Sequence, residues 1–188
     1  CSSCVMNTDS LERYLNSFGK QVANRAKGGL QKAKGGGTAL EKSIRYEVVK
    51  EADGFTVNFY MNNYGAYVDK GVSGTEQIQK FKDYKNKTIN SPYKYTKRKD
   101  HSQPPTSALD KWIVKKGIAP RDKSGKFVSR KSIKFLIARS IGKKGIKGLS
   151  FFQKPLMLVL KEFGGDMLKA VKEDLINTIN KETVTTVN

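Results

Sequence analysis

The residues able to do chemistry in this chain are few. Its single histidine, His101, lies in "KRKDHSQPP" between Asp100 and Ser102. A nucleophilic triad brings base, orienter and hydroxyl together in space, which three successive residues do not achieve. His101 is read as a solvated loop residue. Cys1 and Cys4 form a C-x-x-C and are the only two cysteines. A structural zinc site takes about four Cys or His ligands, and a redox dithiol sits beside a βαβ pattern that this terminus lacks. No disulfide framework is implied, which suits assembly in a reducing compartment. The basic middle of the chain holds only four carboxylates, Asp83, Asp100, Asp110 and Asp122, whereas a nuclease holds Mg²⁺ with several. "GKKGIKG" (142–148) has glycines and lysines but not the Gly-Lys-Ser/Thr ending of a phosphate loop. The expectation is a non-enzymatic protein with no metal and no cofactor.

Charge carries more information. The chain has 36 Lys and Arg against 17 Asp and Glu, a net of +19. Residues 80–147 alone hold 21 basic and 4 acidic residues, a net of +17. Such a block favours an anionic partner: nucleic acid, an acidic protein surface or anionic lipid. The electrostatic contact set read from it is Lys94, Lys97, Arg98, Lys99, Lys115, Lys116, Arg121, Lys126, Arg130, Lys131, Lys134, Arg139, Lys143 and Lys144. Tyr84, Tyr93 and Tyr95 lie among its lysines, a mixture used by binders of single strands. The plainer reading, that they anchor a loop while the lysines stay solvated, is preferred. The longest apolar run, "PLMLVLKEF", is cut by Lys161 and Glu162 and falls short of the roughly 18 residues of a membrane span.

The elements that must position this block follow from periodicity. Leu11, Tyr14, Leu15, Phe18, Val22, Ala26 and Leu30 predict a helix over 9–33, capped by Asp9 or Ser10 and ended by "KGGG" (34–37). Ile44, Tyr46 and Val48, then Phe55, Val57, Phe59 and Met61, alternate on either side of "ADG" (52–54). This predicts a hairpin over 43–61. In "NNYGAYVDKGVSGT" (62–75), Tyr64 and Tyr67 sit in a short helix or turn. Gly71 and Gly74 are expected to take backbone angles other residues resist. Residues 75–105 read as a long basic loop or arm.

A short basic helix is expected over 107–116, with Leu109, Trp112 and Ile113 inward, Ser107 and Asp110 as a capping box, and Gly117 as its stop. A small hairpin turns at Ser124–Gly125. A second basic helix covers 130–142 with Ile133, Leu136, Ile137 and Ile141 inward. Phe151 and Phe152 precede Pro155, expected as the first residue of a long final helix over 155–180. Leu156, Val159, Leu160, Phe163, Leu168, Val171, Leu175 and Ile179 mark its inner side, with an irregularity at Gly164–Gly165. Residues 1–8 are expected to be flexible and 181–188 loose. Met6 is expected to begin the natural product, residues 1–5 being read-through or a fusion remnant. The sum is an α+β chain of one domain, 1–188: a small antiparallel sheet flanked by an N-terminal helix, two short basic helices and a long C-terminal helix.

Four segments then stand in order: "YGAYVDKGVSGT", "LDKWIVKKGIAPRDKSGKF", "FLIARSIGKKGIKG" and "FFQKP". Together they resemble the neck and tail-completion proteins of tailed bacteriophages, the small head–tail joining proteins, over about residues 44–157 and most closely over 106–157. The resemblance implies a structural virion subunit, assembled in the host bacterial cytoplasm and repeated in a ring, hexamer or dodecamer, between portal or adaptor and tail proteins. It makes Tyr64, Tyr67, Gly71, Gly74, Trp112, Gly117, Phe151, Phe152 and Pro155 structural positions. No membrane is expected. The basic block either touches packaged DNA without reading sequence or meets acids of a neighbouring copy, among them Glu12, Glu47, Glu51, Glu162, Glu173 and Asp174. The alternative function is a stand-alone basic nucleic-acid-binding protein.

Overall fold

The computed structural model describes residues 8–51, 54–98, 102–121 and 123–185, with side chains as far as Ile176. Cys1, Cys4, Met6, Lys99, Asp100, His101, Asp122, the 52–53 turn and the side chain of Ile179 lie outside the described set. The fold is α+β, with small antiparallel strand pairs and a long C-terminal helix. Its residues gather into two compact units interleaved along the chain. One comprises 1–65, 83–86 and 151–188, the other 66–82 and 87–150.

In the first unit the predicted apolar stripe lies on α1 (Asp9–Lys34), where Val22, Ala26 and Leu30 are buried. Gly35 ends the helix, its N–H donating to the Gln31 carbonyl at 2.8 Å. The start differs from expectation. Thr8 is the cap position and makes no side-chain capping bond. The N–H groups of Ser10 and Leu11 donate instead to the two oxygens of Asp174, at 3.1 and 2.9 Å. After the short α2 (Ala39–Ser43), β1 (Arg45–Glu51) pairs with β2 (Gly54–Tyr60), Tyr46 opposite Phe59 and Val48 opposite Val57. The hairpin expected over 43–61 is formed, and this pairing puts its alternating apolar residues on one face. A Cβ on Gly19 would overlap the Tyr46 ring, so α1 can approach β1 only with glycine there.

Phe151 is buried and Phe152 meets Phe59 edge-on at 5.3 Å, which leads the chain into α6 (Gln153–Thr185). Pro155 is its third residue, not its first. α6 runs unbroken through Gly164–Gly165 and on to Thr185, past the position where a loose tail was expected. Val159, Phe163, Ala170 and Asp174 line its inner side, while Leu160, Leu168 and Leu175, expected inside, are exposed, Leu168 by 74%. At 3.6 residues per turn, Leu168 and Leu175 point about 140° away from that inner line. A Cβ on Gly164 or Gly165 would meet nothing within 4 Å. The double change Gly164→Ala, Gly165→Ala is therefore expected to raise stability by about 1–2 kcal/mol, read as a higher thermal midpoint.

The second unit holds α3 (Gly65–Lys70) in all but its first residue, then β3 (Val72–Ser73), β4 (Lys80–Lys82) and β5 (Thr88–Asn90). A 3-10 turn (Thr106–Leu109) leads into α4 (Asp110–Lys115), followed by α5 (Arg130–Lys144) and β6 (Gly145–Ile146). Residues 75–105 are not a structureless arm. β4 and β5 form a hairpin with Phe81 opposite Ile89, and Ser73 bridges to the strand at Lys94, donating to the Tyr93 carbonyl at 2.8 Å. β4 reads Lys-Phe-Lys and β5 Thr-Ile-Asn, one apolar residue each, too short for an alternating pattern to show this hairpin. β3 pairs antiparallel with β6, Val72 opposite Ile146.

Gly71 takes the expected left-handed backbone, φ 76°. Gly74 does not; it is needed because a Cβ would run into the Lys143 carbonyl. Leu109, Ile113, Ile133 and Ala138 form the core, with Ile137 and Ile141 packed on it. Trp112, expected inside, is 44% exposed, and Leu136 faces out as well. The seam between α4 and α5 is one stripe wide, and Leu109 and Ile113 fill it. The Ser107–Asp110 capping box is absent: Leu109 is the cap position of α4, and Asp110 instead accepts from Lys134 Nζ at 2.9 Å. Gly117, φ 62°, stops α4 as expected. The small hairpin at 121–127 closes on a bridge between Arg121 and Phe127, the guanidinium 4.1 Å above the ring.

Candidate nucleic-acid interface

The second unit contains 21 Lys and Arg against 5 Asp and Glu, a net of +16, and the first unit 15 against 12, a net of +3. The described acids of the second unit do little to offset this outwardly. Asp69 is buried. Glu76 pairs with Lys143 at 2.7 Å and Asp110 with Lys134. Every described member of the predicted contact set belongs to this unit. Lys94, Lys97, Arg98, Lys115, Lys116, Arg121, Lys126, Arg130, Lys131, Arg139 and Lys144 are exposed, Lys134 and Lys143 half-buried.

Position along the helices separates structural cations from the rest. Lys143 and Lys144 end α5, where the helix dipole favours positive charge. Arg130 and Lys131 occupy its first turn, which contains no acid. There the dipole disfavours a cation by about 0.3–1 kcal/mol each. Ser129 caps the same turn by accepting from the Ser132 N–H at 3.2 Å, so the helix start is otherwise well made. Arg130 and Lys131 therefore cost the fold stability at this helix start.

The acids proposed to face a neighbouring copy are partly engaged within the first unit. Glu162 takes a two-pronged contact from Arg25, at 3.0 and 2.6 Å, and the Arg25 hydrogen bond holds its carboxyl below the ordinary range. Glu47 accepts from the Tyr60 hydroxyl at 3.2 Å. Asp174 is buried against the start of α1.

Tyr93 and Tyr95 are half-buried, in keeping with the anchoring preferred from sequence. Tyr93 is anchored, its ring 4.2 Å from that of Tyr67 on α3, yet the two also wall an open cleft of about 690 Å³ together with Tyr95, Pro104, Pro105 and Lys94. Burial pushes the Tyr95 phenol above its ordinary pKa, so it is a neutral hydroxyl at physiological pH. In the same wall the Thr96 hydroxyl is buried with no hydrogen-bond partner among the described residues, an arrangement costing about 1–3 kcal/mol. Tyr84 lies on the 83–86 turn, where its N–H donates to Gln153. The alternation Tyr93-Lys94-Tyr95 was visible in sequence; the arrival of Tyr67 and the prolines beside it was not. Of the structural positions, Tyr64 is exposed in the turn before α3.

Among the described residues no group of three or more His, Cys, Asp or Glu could hold a metal ion, and no helix is long and apolar enough to cross a membrane. No protein-family model, curated protein or solved structure matches the chain.

Proposed function

We propose that this chain is a non-enzymatic structural component of a tailed-phage virion, a head–tail joining subunit of the neck or tail-completion kind. In this reading it assembles as a ring, hexameric or dodecameric, and rests its basic unit on packaged DNA through phosphate contacts. The observation that carries it is the segregation of charge into one unit whose described acids are buried or paired. Two of the segments bearing the resemblance also meet: 71–74 packs on 143–148 through the β3–β6 pair and backbone approaches at Gly71 and Gly74. Ring contacts are heterologous and close when the rotation divides a circle.

Mass spectrometry of purified particles should find the protein at a fixed low copy number, and negative-stain images should show rings. Its absence from particles would sink the proposal, and a stand-alone nucleic-acid binder would then be the better reading. On the protein itself, Lys131→Glu with Arg139→Glu should keep the fold and raise its stability by about 0.6–2 kcal/mol, because a carboxylate in the first turn of α5 replaces a cation that the dipole disfavours, and both side chains are exposed. The slope of log affinity against log salt on duplex DNA should become shallower by about 0.9 for each phosphate that the variant no longer neutralises. An unchanged slope would remove this face from the DNA-binding surface.

A further inference from the structure

We infer that the tyrosine cleft of the basic unit takes unpaired bases, so that this face holds single-stranded nucleic acid and not only the duplex backbone. The inference goes beyond the proposed virion role, which needs phosphate contact alone. Its walls are Tyr67, Tyr93 and Tyr95, with Pro104 and Pro105 opposite and Lys94 among them. Tyr67 is 48% exposed although its ring lies 4.2 Å from that of Tyr93, tilted by 44°, so the pair presents aromatic surface to solvent. The volume lies within the roughly 300–1,000 Å³ of sites that enclose small organic groups.

A second, smaller cleft of about 290 Å³ adjoins it through the shared residue Gln103 and contains Lys97, Arg139 and the exposed ring of Phe135. Aromatic stacking surface beside a cationic track is the arrangement that holds single strands, bases on rings and phosphates on cations. A proline-rich peptide would suit the aromatic walls but has no use for the cations next to them. All these groups belong to one compact unit.

The test uses the full chain and three fluorescent probes of equal length, oligothymidylate, an abasic strand and a duplex, at about 0.15 M salt. Oligothymidylate should bind roughly tenfold or more tightly than the abasic strand. Tyr67→Ala and Tyr95→Ala should each weaken oligothymidylate by about tenfold and leave the duplex unchanged. Circular dichroism checks that each variant is folded, and Tyr67→Leu serves if truncation unfolds the unit. Lys97→Glu with Arg139→Glu should weaken both strands and steepen no preference between them. Equal binding of normal and abasic strands overturns the inference. So does equal weakening of strand and duplex in the tyrosine variants, or a proline-rich peptide that binds in a Tyr67-dependent way while the strand does not. Loss of base preference with duplex binding and particle content intact leaves the proposed virion role standing.

Discussion

Replacing Gly145 with alanine is expected to destabilise the basic unit by about 2–6 kcal/mol, enough to unfold a chain of ordinary stability. Two costs add at this position. The backbone stands at φ 80°, ψ −169°, a region open essentially to glycine, where a side chain costs about 1–3 kcal/mol. The new Cβ would also run into the Val72 carbonyl and crowd the Gly74 N–H at 2.6 Å. Both are backbone groups held in place, Val72 by the β3–β6 pairing and the Gly74 N–H by the Gln77 carbonyl at 2.8 Å, so neither can swing aside, and overpacking of this kind adds about 1–3 kcal/mol. Gly117→Ala is the internal comparison. It too has positive φ, 62°, but nothing lies within 4 Å of its added Cβ. Only the backbone cost remains, about 1–2 kcal/mol. Urea unfolding of the two variants separates the terms, and equal destabilisation would show that the close meeting of 71–74 with 143–148 is wrong.

That meeting also marks where sequence reading stops. Periodicity identified α1, the β1–β2 hairpin, α4, α5 and α6, because each buries a repeating apolar face that propensity and spacing report directly. It misassigned Trp112, Leu136, Leu160, Leu168 and Leu175, because an apolar residue on a helix records only an angle. Which angles are covered depends on how wide a seam the neighbouring helix provides. In α4 and α5 that seam holds one row, so Leu109, Ile113 and Ile133 fill it and Trp112 stays outside. The β4–β5 hairpin escaped notice because its strands are three residues long and carry one apolar residue each. The basic character of the second unit could be read as a charge count, since charge needs no fold to be summed. The aromatic cleft could not, since Tyr67, Tyr93 and Pro104 come together only through tertiary structure.

Asp174→Ala is expected to cost about 3 kcal/mol at neutral pH, although sequence spacing gave Asp174 no role in the fold. The residue is 1% exposed, and its two oxygens accept the Ser10 and Leu11 N–H groups, donors that α1 cannot satisfy internally. A hydrogen bond to a charged group contributes roughly 1.5–3 kcal/mol, and a carboxylate at a helix N-terminus adds about 0.3–1 kcal/mol from the dipole. Burial alone pushes the Asp174 carboxyl up, but the donations from Leu11 and Ser10, with the Arg13 charge nearby, together hold it below its ordinary value. A carboxyl lowered in the folded state stabilises the fold above its unfolded pKa, about 3.9, and that contribution disappears as pH falls through the folded value. The difference between wild type and Asp174→Ala should therefore be constant from about pH 5 to about pH 7 and narrow below about pH 4. Asp174→Asn, which keeps an acceptor but not the charge, should fall between the two at neutral pH and show no such narrowing of its own. Comparing variants at each pH cancels the titration of the other carboxyls. A difference that persists undiminished at about pH 2, well below the unfolded pKa, would mean that Asp174 acts by packing volume, not as the charged cap of α1.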